Sequence, residues 1–207
     1  MDDGMPLLVQ RAYAAARRIG FALTARESTG TGSACLPGTG LFLAMLAAGC
    51  SPIGELGTGA GIGAAWMASA MPADCTLVTE EVDPGRAAAA REMFAGDPHV
   101  TVITGESFPA ISRHGPYDLL FSDGGGGQAE LVDLLAAGDR VVMDDLTPTA
   151  LLPPGSPFLS ADDPKRGFFA SPRTRLVRGA PRRRPSPRAG TEPGRPARAR
   201  PGWRRSG

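Results

Sequence analysis

The chain has 207 residues and lacks the features of a membrane protein or of a disulfide-stabilised scaffold. No apolar run approaches the ~18 residues that a membrane-spanning helix requires. The three cysteines are odd in number and none is spaced as Cys-x-x-Cys, so we expect buried, reduced thiols. The chain opens with Asp2 and Asp3, which is unlike a secretory signal. These absences predict a cytoplasmic protein that has no membrane partner.

Lysine and histidine, which commonly act as acids or bases in catalysis, are also scarce. Lys165 is the only lysine, and His99 and His114 are the only histidines. His99 begins a predicted strand and His114 lies in a predicted surface loop, so a structural role is favoured for both. The sequence therefore leaves the catalytic residue unidentified.

Charge is distributed unevenly along the chain. The first 164 residues contain eight basic and twenty acidic side chains, whereas the remaining residues contain fourteen basic side chains and one acidic one. The basic part is rich in Arg and Pro and has too few apolar residues to offset the entropy cost of ordering. We therefore predict one folded domain over residues 1–171 and a disordered tail over residues 172–207. The tail either has no function or is an electrostatic arm, and nucleic acid is the less favoured partner.

Apolar strand patterns alternate with helical patterns along the acidic part. Helices are predicted over residues 5–20, 41–49, 62–71, 83–96 and 128–138, and strands over residues 51–56, 75–81, 99–105, 117–123 and 140–145. Asp83 as N-cap and Pro84 at the first helical position mark the start of the fourth helix. The order is typical of the α/β class, with a Rossmann-like, doubly wound, mostly parallel sheet and helices on both faces. No complete pair of strands is predicted after residue 148, so the C-terminal strands are expected to be incomplete or to be completed in a homodimer.

The segment IGELGTGAGIGAAW places four glycines at alternate positions directly after the first strand. A loop without Cβ atoms lets the backbone approach a ligand closely at the start of a helix. Gly59, Gly61 and Ala64 fit the dinucleotide pattern G-x-G-x-x-G/A, but Glu55 would repel a pyrophosphate. The same carboxylate suits the sulfonium and amino groups of S-adenosylmethionine. A tight strand-to-helix turn without a ligand is the remaining alternative.

Acidic side chains stand at or beside the ends of the predicted strands, where ligands bind in parallel α/β sheets. Glu81 lies 18 residues beyond Gly63, and its carboxylate can accept hydrogen bonds from both hydroxyls of a ribose. Glu80 should face the opposite side of the strand, and Asp83 is explained by helix capping. Glu81 is therefore the predicted ribose ligand.

Four motifs, taken in order, resemble those of one enzyme family. They are GELGTGAGIG, TEEVDPGRAAAAREMF, YDLLFSDGG and VVMDDLTP, and the likeness extends over residues 36–148. The set resembles S-adenosylmethionine-dependent class I O-methyltransferases, with the greatest likeness to the catechol and caffeoyl-CoA O-methyltransferases.

The resemblance implies where the methyl donor would bind. The residues implied to hold its methionine end are Glu55, Gly57, Thr58, Gly59 and Gly61. The resemblance also implies Glu81 for the ribose, Glu106 and Ser107 near the adenine, and Asp123 beside the cofactor.

Metal-dependent members of the family bind a divalent cation through an acid after the fourth strand and an Asp-Asn pair after the fifth. Asp123, Asp144 and Asp145 occupy these positions, with Asp145 in place of the Asn. Three carboxylates suit Mg²⁺, which would lower the pKa of an acceptor hydroxyl. A hydrogen-bonded pair of aspartates without metal is the alternative. The family lysine that follows the first metal acid is replaced here by Gly126.

We therefore predict transfer of a methyl group from S-adenosylmethionine to a hydroxyl of a small molecule, with or without Mg²⁺. One alternative is a methyltransferase-like protein that binds the cofactor but is catalytically impaired. The other is an NAD(P)-dependent oxidoreductase, which the missing Tyr-x-x-x-Lys pair and the position of Glu55 disfavour.

Overall fold

A computed structural model describes residues 4–24, 26–28, 32–124, 131, 133–136 and 138–144. The helices are α1 (Leu7–Arg18), α2 (Pro37–Ala47), α3 (Ile62–Ala68), α4 (Pro84–Met93) and α5 (Ser107–Ile111). The strands are β1 (Ile53–Leu56), β2 (Leu77–Glu81), β3 (Val100–Thr104), β4 (Leu119–Ser122) and β5 (Arg140–Met143).

The described strands form one five-stranded sheet in the order β3-β2-β1-β4-β5, and every pairing is parallel. All residues of β1, β2 and β4 are buried, as expected for central strands that are covered on both faces. Since strand order reverses at β1, the carboxyl ends of β1 and β4 flank the crevice in which doubly wound folds bind ligands. The predicted Rossmann-like sheet is confirmed.

Side chains of alternate strand residues enter two separate apolar cores. One core joins Ile53, Leu77 and Phe121 to helices α1, α2 and α3 and to the end of α4. The other joins Leu56 and Leu120 to α5 and to the segment around residues 131–135. Helices therefore cover both faces of the sheet, in agreement with the prediction.

Local sequence signals identify the starts of α3 and α4, whereas the predicted ends of α1 to α4 lie two or three residues beyond the observed ones. At the start of α4, the carboxylate of Asp83 accepts a hydrogen bond from the backbone N–H of Arg86 at 2.8 Å, which confirms the predicted cap. The predicted start of α2 at residue 41 is wrong, because the helix begins at Pro37. A Cβ on Gly40 would collide with the indole of Trp66, so α2 continues through glycine residues to pack closely on α3. The short helix α5 was not predicted.

Several predicted features fall outside the described residues. They are Asp145, Gly126, residues 128–130, 132 and 137 of the helix predicted over residues 128–138, the segment after residue 148, and the tail over residues 172–207 together with its boundary at residue 171. Of the predicted helix, Leu131, Asp133 and Leu134 have 3₁₀ conformation. Among the described residues, no helix has the length and apolar character needed to cross a membrane.

The cysteines follow the sequence prediction. Cys35, Cys50 and Cys75 are all buried and form no disulfide with one another.

Candidate functional site

The loop over residues 57–61, which we call the glycine loop, joins the end of β1 to the start of α3. The backbone N–H groups of Gly57 and Thr58 both donate to the carbonyl oxygen of Glu80, at 2.9 and 2.8 Å. Gly57, Gly59 and Gly61 have φ angles of 90°, 54° and 86°, in the left-handed region that favours glycine. The loop is therefore anchored to β2 along its first turn.

The glycine loop also approaches the loop that follows β4. A Cβ built on Gly57 would lie 2.5 Å from the backbone nitrogen of Gly124. The N–H groups of Asp123 and Gly124 both donate to the carbonyl oxygen of Leu56, at 2.9 and 2.8 Å. Only a residue without a side chain permits this close crossing of two backbones at the crevice.

Glu55 lies beneath the glycine loop and is only 1% exposed. Its Oε2 accepts a hydrogen bond from the Thr79 hydroxyl at 2.5 Å, and its carboxylate also accepts one from the backbone N–H of Ala64. A Cβ on Gly63 would collide with Oε1 of Glu55. The carboxylate thus acts as a remote cap for the start of α3, whose N-cap residue, Gly61, has no side chain.

Burial dominates the electrostatics of Glu55. Loss of water contact raises the pKa of its carboxyl to about 8, with further increases from the nearby charges of Asp123 and Glu81. The hydrogen bond from Thr79 acts in the opposite direction. Near neutral pH the side chain is therefore mostly protonated, and a cation placed close to it would favour the ionised form.

Thr79 connects Glu55 to the glycine loop through a buried chain of hydroxyl groups. Its Oγ1 lies 2.5 Å from Oγ1 of Thr58 and donates to Glu55. Thr58 is 4% exposed and Thr79 is fully buried. Sequence reasoning selected Thr58 and Glu55 but missed Thr79, which the alternation along β2 places on the same face as Glu81.

Glu81 ends β2 beside the glycine loop, and its side chain is 5% exposed. Its Oε2 accepts a hydrogen bond from the N–H of Gly59 at 2.8 Å. Its Oε1 accepts from the N–H of Asp83 at 2.9 Å and from Nε and Nη2 of Arg86 at 3.1 and 2.8 Å. The structure therefore brings Glu81 to the glycine loop, and it adds Arg86 as a partner that the sequence did not indicate.

Phe21, which follows α1, covers the same region. Its ring centroid lies 5.9 Å from the guanidinium carbon of Arg86, within the range of a cation–π contact. A Cβ on Gly59 would lie 2.8 Å from Cζ of the ring. Nothing local in the sequence could have linked residue 21 to the glycine loop.

Glu106 and Ser107 follow β3 at the same edge of the sheet. The N–H of Gly105 donates to the carbonyl oxygen of Glu81 at 3.2 Å, so this turn lies next to the end of β2. Glu106 is exposed and precedes α5 without a side-chain capping bond. The side chain of Ser107 lies outside the described part of the structure.

Asp123 and Asp144 directly follow β4 and β5. Ser122 and Met143 are register partners, so the two aspartates leave neighbouring strands side by side. Both are half-buried. Among the described residues no three potential ligands are grouped closely enough to hold a metal ion, and Asp145 lies outside that part of the chain.

Cys35 lies close to these acids but was not selected from the sequence. Burial raises the pKa of its thiol well above the usual range, and the charges of Asp123, Glu55 and Asp144 raise it further. The segment before α2 therefore reaches the carboxyl edge of the sheet, and the thiol stays protonated there.

Residues 55–145 match the family model of a methyltransferase domain. A protein of Mycobacterium tuberculosis named as a probable O-methyltransferase is 34% identical over 98 residues, which cover 44% of this chain and 44% of that protein. The catechol O-methyltransferase of Niastella koreensis is 38% identical over 97 residues, which cover 42% of this chain and 44% of that protein. The match spans less than half the length of either relative.

An O-methyltransferase from Bacillus cereus, solved in complex with SAH, has a similar fold. The TM-score is 0.63 at 20% sequence identity, with 81% of each chain covered. The resemblance to O-methyltransferases is thus confirmed, and the matched segment contains the glycine loop, Glu81 and the strand-end aspartates.

Proposed function

We propose that the chain transfers a methyl group from S-adenosylmethionine to a hydroxyl of a small molecule. The observation that carries this proposal is how the glycine loop is held. The N–H groups of Gly57 and Thr58 donate to the carbonyl oxygen of Glu80 on β2, and the N–H of Gly59 donates to the carboxylate of Glu81. Loop and acid lie at the adjoining carboxyl ends of two parallel strands, where such folds bind ligands. The match to a methyltransferase domain over residues 55–145 supports the same assignment.

The described residues suit the two ends of this donor. The methionine end would lie against the backbone of the glycine loop, beneath which Glu55 and Thr58 are buried. A cationic sulfonium and ammonium there would favour ionisation of Glu55, whose carboxyl has a pKa raised to about 8. Glu81 would accept hydrogen bonds from the ribose hydroxyls, and the turn at Glu106 and Ser107 would lie beside the adenine.

The reaction is a displacement that needs alignment more than chemical activation. The acceptor oxygen bonds to the methyl carbon, the bond from that carbon to sulfur breaks, and its electron pair stays on sulfur, while the hydroxyl proton leaves the acceptor. Holding oxygen, carbon and sulfur in line is the main contribution that a protein can make. The group that takes the proton is unidentified, because the family lysine position is Gly126.

Mg²⁺ forms part of the proposal. Asp123 and Asp144 supply two hard oxygen ligands from neighbouring strands, and Asp145 would supply the third. A bound cation there would lower the pKa of an acceptor hydroxyl.

The test is calorimetric titration of the full-length chain with S-adenosylmethionine and, separately, with NAD. We expect S-adenosylmethionine to bind and NAD not to bind. Glu81→Ala should lose binding, because the ribose then has no carboxylate partner. Glu92→Gln is the matched control, since that acid lies on the exposed side of α4 with a side chain that is 69% exposed.

Transfer is then measured with isotopically labelled methyl donor and a panel of small phenols and alcohols, with and without Mg²⁺. Labelled product supports the proposal. Binding of the donor with no labelled product from any acceptor would favour the alternative of a catalytically impaired relative. Binding of NAD alone would contradict the assignment of the glycine loop.

A further inference from the structure

One oxygen of the Glu81 carboxylate, Oε1, is fully engaged before any ligand is considered. Four donors reach it: the N–H of Gly59 at Oε2, and the N–H of Asp83 with Nε and Nη2 of Arg86 at Oε1. A carboxylate offers about four acceptor positions. Oε2 accepts one hydrogen bond and can accept a second, whereas Oε1 already accepts three, so a ribose hydroxyl can bind Oε1 only if a present donor leaves.

Arg86 is the donor that can leave. The N–H groups of Gly59 and Asp83 belong to backbone that the glycine loop and the capped start of α4 hold in place. The guanidinium of Arg86, in contrast, is at the end of a long side chain that is 22% exposed. Rotation of that side chain would leave Oε1 with the N–H of Asp83 as its remaining donor, without moving any backbone.

Phe21 lies beside the same position. Its ring centroid is 5.9 Å from the guanidinium carbon of Arg86, and a Cβ built on Gly59 would lie 2.8 Å from Cζ of the ring. The backbone N–H of Phe21 donates to the carbonyl oxygen of Ala16 at 2.9 Å, so the ring is held directly beyond the end of α1. Arg86 thus occupies the carboxylate, and Phe21 lies against both Arg86 and the middle of the glycine loop.

We propose that Arg86 and Phe21 form a latch over Glu81, and that the cis-diol of an adenosine ligand binds by displacing the Arg86 guanidinium from Oε1. The inference rests on the proposed function for the identity of the ligand. Arg86 is then a residue that lowers ligand affinity in the closed state, because only molecules with the latch open are competent to bind. If the open form is about a tenth of the molecules, removal of the latch raises the apparent affinity about tenfold.

The test compares Arg86→Gln with wild-type full-length protein in calorimetric titrations with S-adenosylhomocysteine. Arg91→Gln is the matched control, since Arg91 lies on the same helix but bonds to the carbonyl oxygen of Val102 on β3. We expect Arg86→Gln to bind about tenfold more tightly than wild type, and Arg91→Gln to bind like wild type. Thermal unfolding of each variant verifies that it is folded.

A second measurement follows the latch itself. In wild-type protein labelled with nitrogen-15, the Nε–H resonance of Arg86 is identified by its absence in Arg86→Gln. Adenosine should shift this resonance, and 2′,3′-dideoxyadenosine at the same concentration should not, because it lacks the diol.

The outcomes separate the latch from the function. If wild type binds S-adenosylhomocysteine and Arg86→Gln binds it equally or more weakly, the latch is wrong and the function stands. If only Arg86→Gln binds, the latch is supported, and it stays closed in wild-type protein under the conditions of the titration. If neither protein binds, the ligand class is wrong and both proposals fail.

Discussion

The acidic side chains at the carboxyl edge of the sheet are held differently in its two halves. At β1 and β2, Glu55 and Glu81 are almost fully buried and accept hydrogen bonds from backbone, hydroxyl and guanidinium donors. At β4 and β5, Asp123 and Asp144 are only half-buried. The first half therefore encloses its acids almost completely, whereas the second half leaves its acids partly exposed at the carboxyl edge.

This difference assigns separate tasks to the two halves. A glycine loop that is held in place by hydrogen bonds within the chain suits a ligand that is the same in every reaction cycle. Half-exposed carboxylates suit an exchangeable cation or an acceptor. Substitutions of the buried residues in the first half should therefore affect stability as well as ligand binding, and substitutions in the second half should affect ligands with little effect on stability.

The largest effect is expected for Gly57→Ala, which introduces a Cβ 2.5 Å from the backbone of Gly124 at a φ of 90°. Gly96→Ala is the matched control, since Gly96 has a φ of 92° and open space around it. The control should cost about 1–2 kcal/mol of left-handed strain. Gly57→Ala should cost about 1–3 kcal/mol more, from overpacking. Equal losses in urea unfolding would mean that the two backbones are not in close contact.

The next effect is expected for Thr79→Val, which keeps the side-chain shape but removes the hydroxyl between Thr58 and Glu55. A buried partner that loses its hydrogen bond costs about 1–3 kcal/mol. Thr79→Ser retains the hydroxyl and should lose only about the contribution of one methyl group, ~0.8 kcal/mol. If both variants unfold at the same urea concentration, the hydroxyl chain contributes nothing to stability.

Glu55→Gln should change how stability depends on pH. Burial raises the pKa of Glu55 from 4.5 to about 8, so between these values the folded protein keeps a proton that the unfolded chain has lost. The free energy of unfolding should therefore fall as pH rises through this window, by at most about 1.4 kcal/mol per pH unit, and this contribution should level off above it. Glu55→Gln should flatten the profile, and Glu92→Gln should not. Parallel profiles for Glu55→Gln and wild type would contradict the raised pKa.

The smallest effect on stability is expected for Asp123→Asn and Asp144→Asn. Both side chains are half-buried at strand ends, and the substitution preserves their shape. Their effect should appear instead with Mg²⁺: if the proposed metal site is correct, Mg²⁺ raises the Tm of wild type but not of either variant. An unchanged Mg²⁺ response in both variants would locate the cation elsewhere.

Periodicity and turn chemistry were enough to predict the strands, their parallel arrangement and the place of the glycine loop. Asp83 and Pro84 marked the start of α4 because capping is a local interaction between close neighbours in sequence. The start of α2 was missed because Gly38 and Gly40 are typical of loops, and only the packing of Gly40 on Trp66 explains why a helix passes through them. The roles of the predicted site residues remain predictions.

The sequence by itself determined the fold class and which strand ends carry acids, since both follow from the spacing of apolar, glycine and acidic residues. Only the tertiary structure decided what surrounds those acids. Phe21 and Thr79 both contact the glycine loop, although they lie 38 residues before and 20 residues after Gly59 in the sequence. Such contacts depend on sheet register and on how α1 packs across the sheet, and neither quantity is encoded in the local pattern of residues that forms each element.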